Sequence, residues 1–118
     1  MTDKIHIRDM EVSCIIGTNS WEREHRQPVI INLALSCDLT RPGKSDRLED
    51  TVDYRTLKDR IIDEAGKSQY FLIERLAEHI AEICLECPMV QDVSVTLDKP
   101  GALTGTRSVA VEIHRART

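Results

Sequence analysis

Val29-Ile30-Ile31-Asn32-Leu33-Ala34-Leu35-Ser36-Cys37-Asp38-Leu39 is the stretch that decides the fold. Val29, Ile31, Leu33, Leu35, Cys37 and Leu39 fall on one side of an extended chain. Asn32, Ala34, Ser36 and Asp38 dominate the other side, with Ile30 the exception. A period of two over this length predicts a half-buried strand from Val29 to Leu39. The pattern recurs twice toward the C-terminus. Val93, Val95 and Leu97 alternate with Ser94, Thr96 and Asp98, and Val109, Val111 and Ile113 alternate with Ser108, Ala110, Glu112 and His114. At the start of the chain, Ile5 and Ile7 are out of phase with Met10 and Val12. A bulge near Asp9 is expected to restore the register.

Between the strand pairs the period lengthens. Leu57, Ile61, Ile62 and Ala65 follow helical spacing, with Gly66 as the expected C-terminal cap. A second helix is expected from near Phe71, with an apolar stripe of Ile73, Leu76, Ala77, Ile80, Ala81 and Cys84, and Pro88 bounding it. Thr40 to Asp50 reads as a surface loop with a short turn. The order is ββααββ in an α+β fold: an antiparallel sheet, apolar on one face, with both helices on that face. Four strands leave two open edges, and assembly of several copies into a ring would remove them.

Composition narrows the function classes. A chain of 118 residues is expected to form a single domain over residues 1–118. The core must be aliphatic, because twelve Ile, ten Leu and eight Val stand against four aromatic residues, Trp21, Tyr54, Tyr70 and Phe71. Few aromatics and a formal charge of −4 argue against nucleic acid, which is bound by basic faces and stacking rings. No apolar run approaches the length of a membrane span. The N-terminus, Met1-Thr2-Asp3-Lys4-Ile5-His6-Ile7-Arg8, is charged where a signal peptide is apolar, so a cytoplasmic protein is expected.

Four polar segments interrupt the patterned elements: Gly17-Thr18-Asn19-Ser20-Trp21-Glu22-Arg23-Glu24, Asp53-Tyr54, Ile73-Glu74, and Leu97-Asp98-Lys99-Pro100-Gly101-Ala102. Each has a plain structural explanation when taken singly. Glu22 reads as a solvated loop acid, Tyr54 as a packing residue and Lys99-Pro100-Gly101 as a turn. Glu74, in the first turn of a helix, complements the helix dipole.

Together these segments resemble the dihydroneopterin aldolase family, enzymes of folate biosynthesis that release glycolaldehyde from 7,8-dihydroneopterin. The resemblance runs over nearly the whole chain. It rests on Ile16-Gly17 with Trp21-Glu22, on Asp53-Tyr54, on Leu72-Ile73-Glu74-Arg75 with Ala77-Glu78, and on Leu97-Asp98-Lys99-Pro100-Gly101-Ala102. It implies a tunnelling fold in which four subunits close a sixteen-stranded barrel and two such rings stack into an octamer. It also implies roles. Glu74 anchors the pterin by accepting its amino group and ring N–H together, and the backbone of Ile73 adds a hydrogen bond. Tyr54 arrives from a neighbouring subunit. Lys99 is the catalytic lysine, and Glu22 holds substrate hydroxyls or a relaying water. The reduced pterin itself takes up the electrons, so neither a cofactor, a metal nor a Schiff base is implied.

The resemblance leaves further functional readings. Epimerisation to 7,8-dihydromonapterin can accompany cleavage. Dihydroneopterin triphosphate epimerases share the fold and the lysine but usually depart from the Lys-Pro-Gly form, so Lys99-Pro100-Gly101 favours the aldolase. A non-catalytic oligomer binding a pterin or purine would keep Glu74 but has no need of Lys99, Tyr54 and Glu22 together. Thr18 and Asn19 stand where family members often carry a hydrophobic residue and an aromatic, which bears on the preferred substrate tail. Cys84-x-x-Cys87 lacks a second ligand pair, and His6, His25, His79 and His114 are scattered, so the cysteines are read as core or lining thiols.

Overall fold

The computed structural model describes residues 3–117. The part of the N-terminal reading that rests on Met1 and Thr2 lies outside the described residues, as does Thr118. The chain forms β1 (Lys4–Cys14), β2 (Gln27–Ser36), a short helix α1 (Thr40–Ser45), α2 (Tyr54–Lys67), α3 (Ile73–Leu85), β3 (Asp92–Pro100) and β4 (Ser108–Ala116). Single 3₁₀ turns occupy Trp21–Arg23 and Leu48–Asp50. The four strands form one antiparallel sheet in the order β1-β2-β3-β4.

The alternation in β2 sets the register of its neighbours. Ile5, Ile7, Met10 and Val12 pair with Leu35, Leu33, Ile31 and Val29. On the other side Leu33 pairs with Val95 and Ile31 with Leu97, which in turn meet Ile113 and Val111. These rows keep one face apolar across the sheet only because β1 slips between Ile7 and Met10. The slip sits at Asp9, whose φ of 56° is in the left-handed region and whose N–H donates to Asn32 Oδ1 at 2.9 Å. Asp tolerates this conformation better than most residues because its short side chain bonds locally.

Leu57, Ile61 and Ala65 of α2, and Leu76, Ala77, Ile80, Ala81 and Cys84 of α3, are buried with the strand residues in one core. Asp53 caps α2, its carboxylate accepting from the Thr56 N–H at 3.3 Å and the Thr56 hydroxyl at 3.0 Å.

Five features differ from the sequence reading. β2 begins at Gln27 and ends at Ser36, because the Cys37 N–H turns to Asp3 O and the Asp38 carboxylate accepts from the Thr40 N–H. That contact helps start α1, so Thr40 to Asp50 is more than a loop. Gly66 is not the cap of α2. It lies in the last helical turn, and Ser68 closes the helix by donating to Ala65 O from both N–H and hydroxyl. α3 starts at Ile73, leaving Phe71 exposed. Finally, the alternation in β4 does not bury it: Val109 is exposed and Val111 and Ile113 are half-buried, as befits an edge strand.

Replacement of Asp9 separates the backbone requirement from side-chain identity. Asp9→Gly is expected to stay within about 1 kcal/mol of wild type, while Asp9→Val loses about 1–2 kcal/mol because a β-branched residue resists positive φ. Urea unfolding midpoints of the two variants measure the difference.

Candidate active site

Lys99 continues the row that begins Val93, Val95, Leu97, so it projects toward the helix-covered face. The row has run past the helical cover at that point, and a loop residue meets it. Glu22, in the 3₁₀ turn Trp21–Arg23, accepts from Lys99 Nζ at 2.6 Å through Oε2. Their side chains are only 7% and 12% exposed, Glu22 being the more buried. Gln27 Nε2 donates to the same Oε2 at 3.0 Å and to Ile16 O at 2.8 Å. The Asn19 N–H donates to Glu22 Oε1 at 3.1 Å.

These donors settle the charge of Glu22. The hydrogen bond from Lys99 and those from Gln27 and Asn19 hold its carboxyl down at about 2, against the opposing effect of burial. Glu22 is therefore a fixed carboxylate and not the solvated loop acid that its sequence context suggests. Room for it comes from Gly17, where φ is 125° and any Cβ would overlap the Glu22 carboxylate.

A second wall faces this pair. It comprises the segment Ser68–Leu72 and the start of α3. The Gly17 N–H donates to Tyr70 O at 3.3 Å. Arg23 donates through Nη1 to Gly17 O (2.8 Å) and Tyr70 O (3.1 Å) and through Nη2 to Gln69 O (2.5 Å). Beyond this joint, Ile73 and Glu74 open α3, with Glu74 exposed in the first turn. The N–H groups of a first helical turn have no acceptor within the helix, so this end favours a ligand's oxygens or lone pairs.

Between the walls lies an open cleft of about 370 Å³. Glu22, Lys99, Ile73 and Glu74 all line it, as do Gly17, Thr18 and Asn19, while Leu103, Val109 and Val111 supply apolar surface. A cation and a fixed carboxylate thus face an exposed carboxylate across an apolar slot. That combination suits a flat, polar, hydrogen-bonding ring with paired N–H donors toward Glu74.

The structure brings four of the five expected site residues together. Tyr54 is apart from them: it is the first residue of α2, 60% exposed, and it does not line the cleft. Cys84 and Cys87 do not line it either. Burial pushes the Cys84 thiol up to about 12, and Cys87 is half-buried. Among the described residues, no group of three or more His, Cys, Asp or Glu side chains is arranged to hold a metal. Gln27 and Arg23 were missed in the sequence. Gln27 had a signal, since it shares the inward parity of Val29 and Ile31 yet is polar.

The chain is similar to known proteins over its whole described length. The family model described as "FolB: Dihydroneopterin aldolase" matches residues 5–114. A dihydroneopterin aldolase of Methylorubrum extorquens is 35% identical, with 100% of this chain and 93% of that one covered. The Dictyostelium discoideum folic acid synthesis protein FOL1 is also 35% identical, over 96% of this chain but only 17% of that much longer protein. A Pseudomonas aeruginosa protein named dihydroneopterin triphosphate 2'-epimerase is 29% identical over 95% of this chain and 93% of its own. Among solved structures, Escherichia coli dihydroneopterin aldolase in complex with neopterin superposes with a TM-score of 0.93 at 28% identity, covering 98% of this chain and 100% of that one. A Burkholderia thailendensis dihydroneopterin aldolase bound to guanine gives 0.82 at 30% identity, covering 98% and 92%.

The low pKa of Glu22 has a pH signature. The unfolded carboxyl titrates near 4.5 and the folded one near 2, so the unfolded chain binds more protons in between. The stabilisation is complete above about pH 4.5 and is lost as the pH falls through about 2. Glu22→Gln is expected to cost roughly 1–3 kcal/mol near neutrality. Urea midpoints of the two proteins should converge as the medium is acidified across that window.

Proposed function

Because the chain belongs to the dihydroneopterin aldolase family, we propose that its cleft cleaves 7,8-dihydroneopterin by a retro-aldol reaction. The products are 6-hydroxymethyl-7,8-dihydropterin and glycolaldehyde, a step in tetrahydrofolate biosynthesis. The observation that carries this reading is the convergence of the Lys99–Glu22 pair with Ile73 and Glu74 in one cleft. The neopterin and guanine in the two related structures support a ligand of this type.

In this reading Glu74 accepts the pterin amino group and adjacent ring N–H with its two oxygens, and the Ile73 backbone adds a hydrogen bond. The reaction removes the proton of the side-chain hydroxyl beside the breaking carbon–carbon bond. The electron pair of that bond moves into the ring imine, and the ring nitrogen takes up a proton. Lys99 is the donor facing that nitrogen, and its charge stabilises the developing electron density. Glu22 orients Lys99 and leaves lone pairs for a substrate hydroxyl or a relaying water. Protonation of the carbon left behind, with return of the ring nitrogen's proton to the Lys99 side of the site or to water, restores the imine. The pterin ring serves as electron sink, so the chemistry needs no metal and no Schiff base.

Tyr54 enters the scheme from a neighbouring subunit, with its ring against the pterin and its hydroxyl in proton transfer. Residues 1–118 then act as a single domain within a homo-oligomer, an octamer of two stacked four-subunit barrels in the cytoplasm. Support for assembly comes from the open β1 and β4 edges and from the exposed Tyr54, Phe71, Leu72 and Leu103. The net charge of −4 supports partners other than nucleic acid.

A second reading follows from the epimerase relative. Glycolaldehyde that recombines before escaping can add to the other face and give 7,8-dihydromonapterin. Assay of the purified protein with dihydroneopterin and with its triphosphate separates aldolase, epimerase and non-catalytic binder.

Two variant experiments extend the test. Lys99→Ala is expected to lower glycolaldehyde release by about 10²–10⁴-fold while neopterin still binds; intact turnover would remove Lys99 from the mechanism. Mixing Lys99→Ala with Tyr54→Phe subunits should restore about a quarter of wild-type activity, since random assembly around a symmetric interface rebuilds that share of shared sites. Undiminished activity of Tyr54→Phe alone would place Tyr54 outside the site, and no recovery on mixing two inactive variants would mean that Tyr54 and Lys99 do not meet across a subunit boundary.

A further inference from the structure

We propose that Arg23 is a positioning residue that sets the separation between the two walls of the cleft. The proposal rests on the aldolase reading above. Arg23 does not line the cleft, and so it does not act on substrate directly. Its immediate neighbour Glu22 holds Lys99 on one wall. Its own guanidinium reaches three backbone carbonyls, Gly17 O on that wall and Gln69 O and Tyr70 O on the other. The guanidinium carbon also lies 4.2 Å from the centre of the Phe71 ring. Two and three residues farther on come Ile73 and Glu74, the proposed pterin anchor.

The geometry explains why a guanidinium is present. A planar fork of N–H donors can satisfy several carbonyls at fixed angles, which a single ammonium matches less well. The far wall is itself anchored. The Tyr70 hydroxyl lies 2.8 Å from His79 Nδ1 on α3, and His79 Nε2 lies 3.2 Å from Glu64 Oε1 on α2. Tyr70 is thereby tied to both helices, and Arg23 with the Gly17 N–H ties it to the loop that carries Glu22. A pterin held by Glu74 meets Lys99 correctly only if that joint keeps its width.

Arg23→Met keeps the aliphatic stem and removes every donor. The far-wall anchor remains, so the neopterin Kd is expected to stay within about threefold, while kcat for glycolaldehyde release falls roughly 10- to 100-fold through misplacement of Lys99 against the ring. Arg23→Lys retains one donor group and should recover part of the lost kcat. A role in stability alone would lower Tm but leave kcat and Kd of the folded protein at wild-type values. Wild-type kcat in Arg23→Met, or no advantage of Arg23→Lys over it, overturns the proposal. If Arg23→Met does not fold, Arg23→Lys must still show a reduced kcat with an unchanged Kd. A wild-type protein that releases no glycolaldehyde would instead overturn the functional reading. The crystal structure of Arg23→Met then decides this one: a wider Gly17–Tyr70 gap upholds it and an unchanged gap overturns it.

Discussion

An apolar face that spans four strands has to be covered, and here the cover stops before the strands do. Val29, Ile31, Leu33 and Leu35 commit β2 to a buried face, and the paired rows carry that face across β1 and β3. The helices seal the rows as far as Leu97, which is fully buried. Gln27 and Lys99 occupy the inward parity just beyond, at the same end of the sheet. Inward-facing polar groups at the margin of a core need partners, and Glu22 satisfies both. The cleft exists because the hydrophobic cover ends where polar side chains continue the strand pattern.

The charge arrangement follows from the same boundary. A carboxylate this buried is costly unless it is paired and fully hydrogen-bonded. Glu22 meets that condition through an ammonium, an amide and a backbone N–H, and the lack of a Cβ at Gly17 lets the chain close around it. Glu74 is the opposite case, an exposed carboxylate at a helix start with its oxygens available to a ligand. Two acids about fifty residues apart in the chain thus sit in opposite environments, one enclosed and the other open.

Much of this was legible in the residues. The four strands, the two main helices, their order and the Asp9 bulge follow from periodicity, because the spacing of apolar side chains reports directly on which face is buried. The errors fall where local hydrogen bonding overrides that signal. Ser68 closes α2 instead of Gly66, and Asp38 starts a short helix that loop-like residues conceal. Val109, Val111 and Ile113 alternate like a buried strand yet stand at a sheet edge, since alternation does not reveal whether a neighbour in the same chain covers the face. Four of the five residues that the resemblance assigns to a site share the cleft, whereas Tyr54 lies elsewhere on the surface of the same chain.

The sequence by itself determined the architecture and the family, because strand and helix periods are local and the segments around Gly17, Glu22, Glu74 and Lys99 are distinctive as residue types in order. Only the tertiary structure decided which of those residues touch and that Glu22 is held as a carboxylate. Lys99 and Glu22 are 77 positions apart, and their contact depends on strand register, loop closure and a missing Cβ acting together. Arg23 carries no distinguishing mark in the sequence, since its acceptors are backbone carbonyls, which every residue possesses. Its place in the molecule becomes visible only when the fold sets those carbonyls side by side.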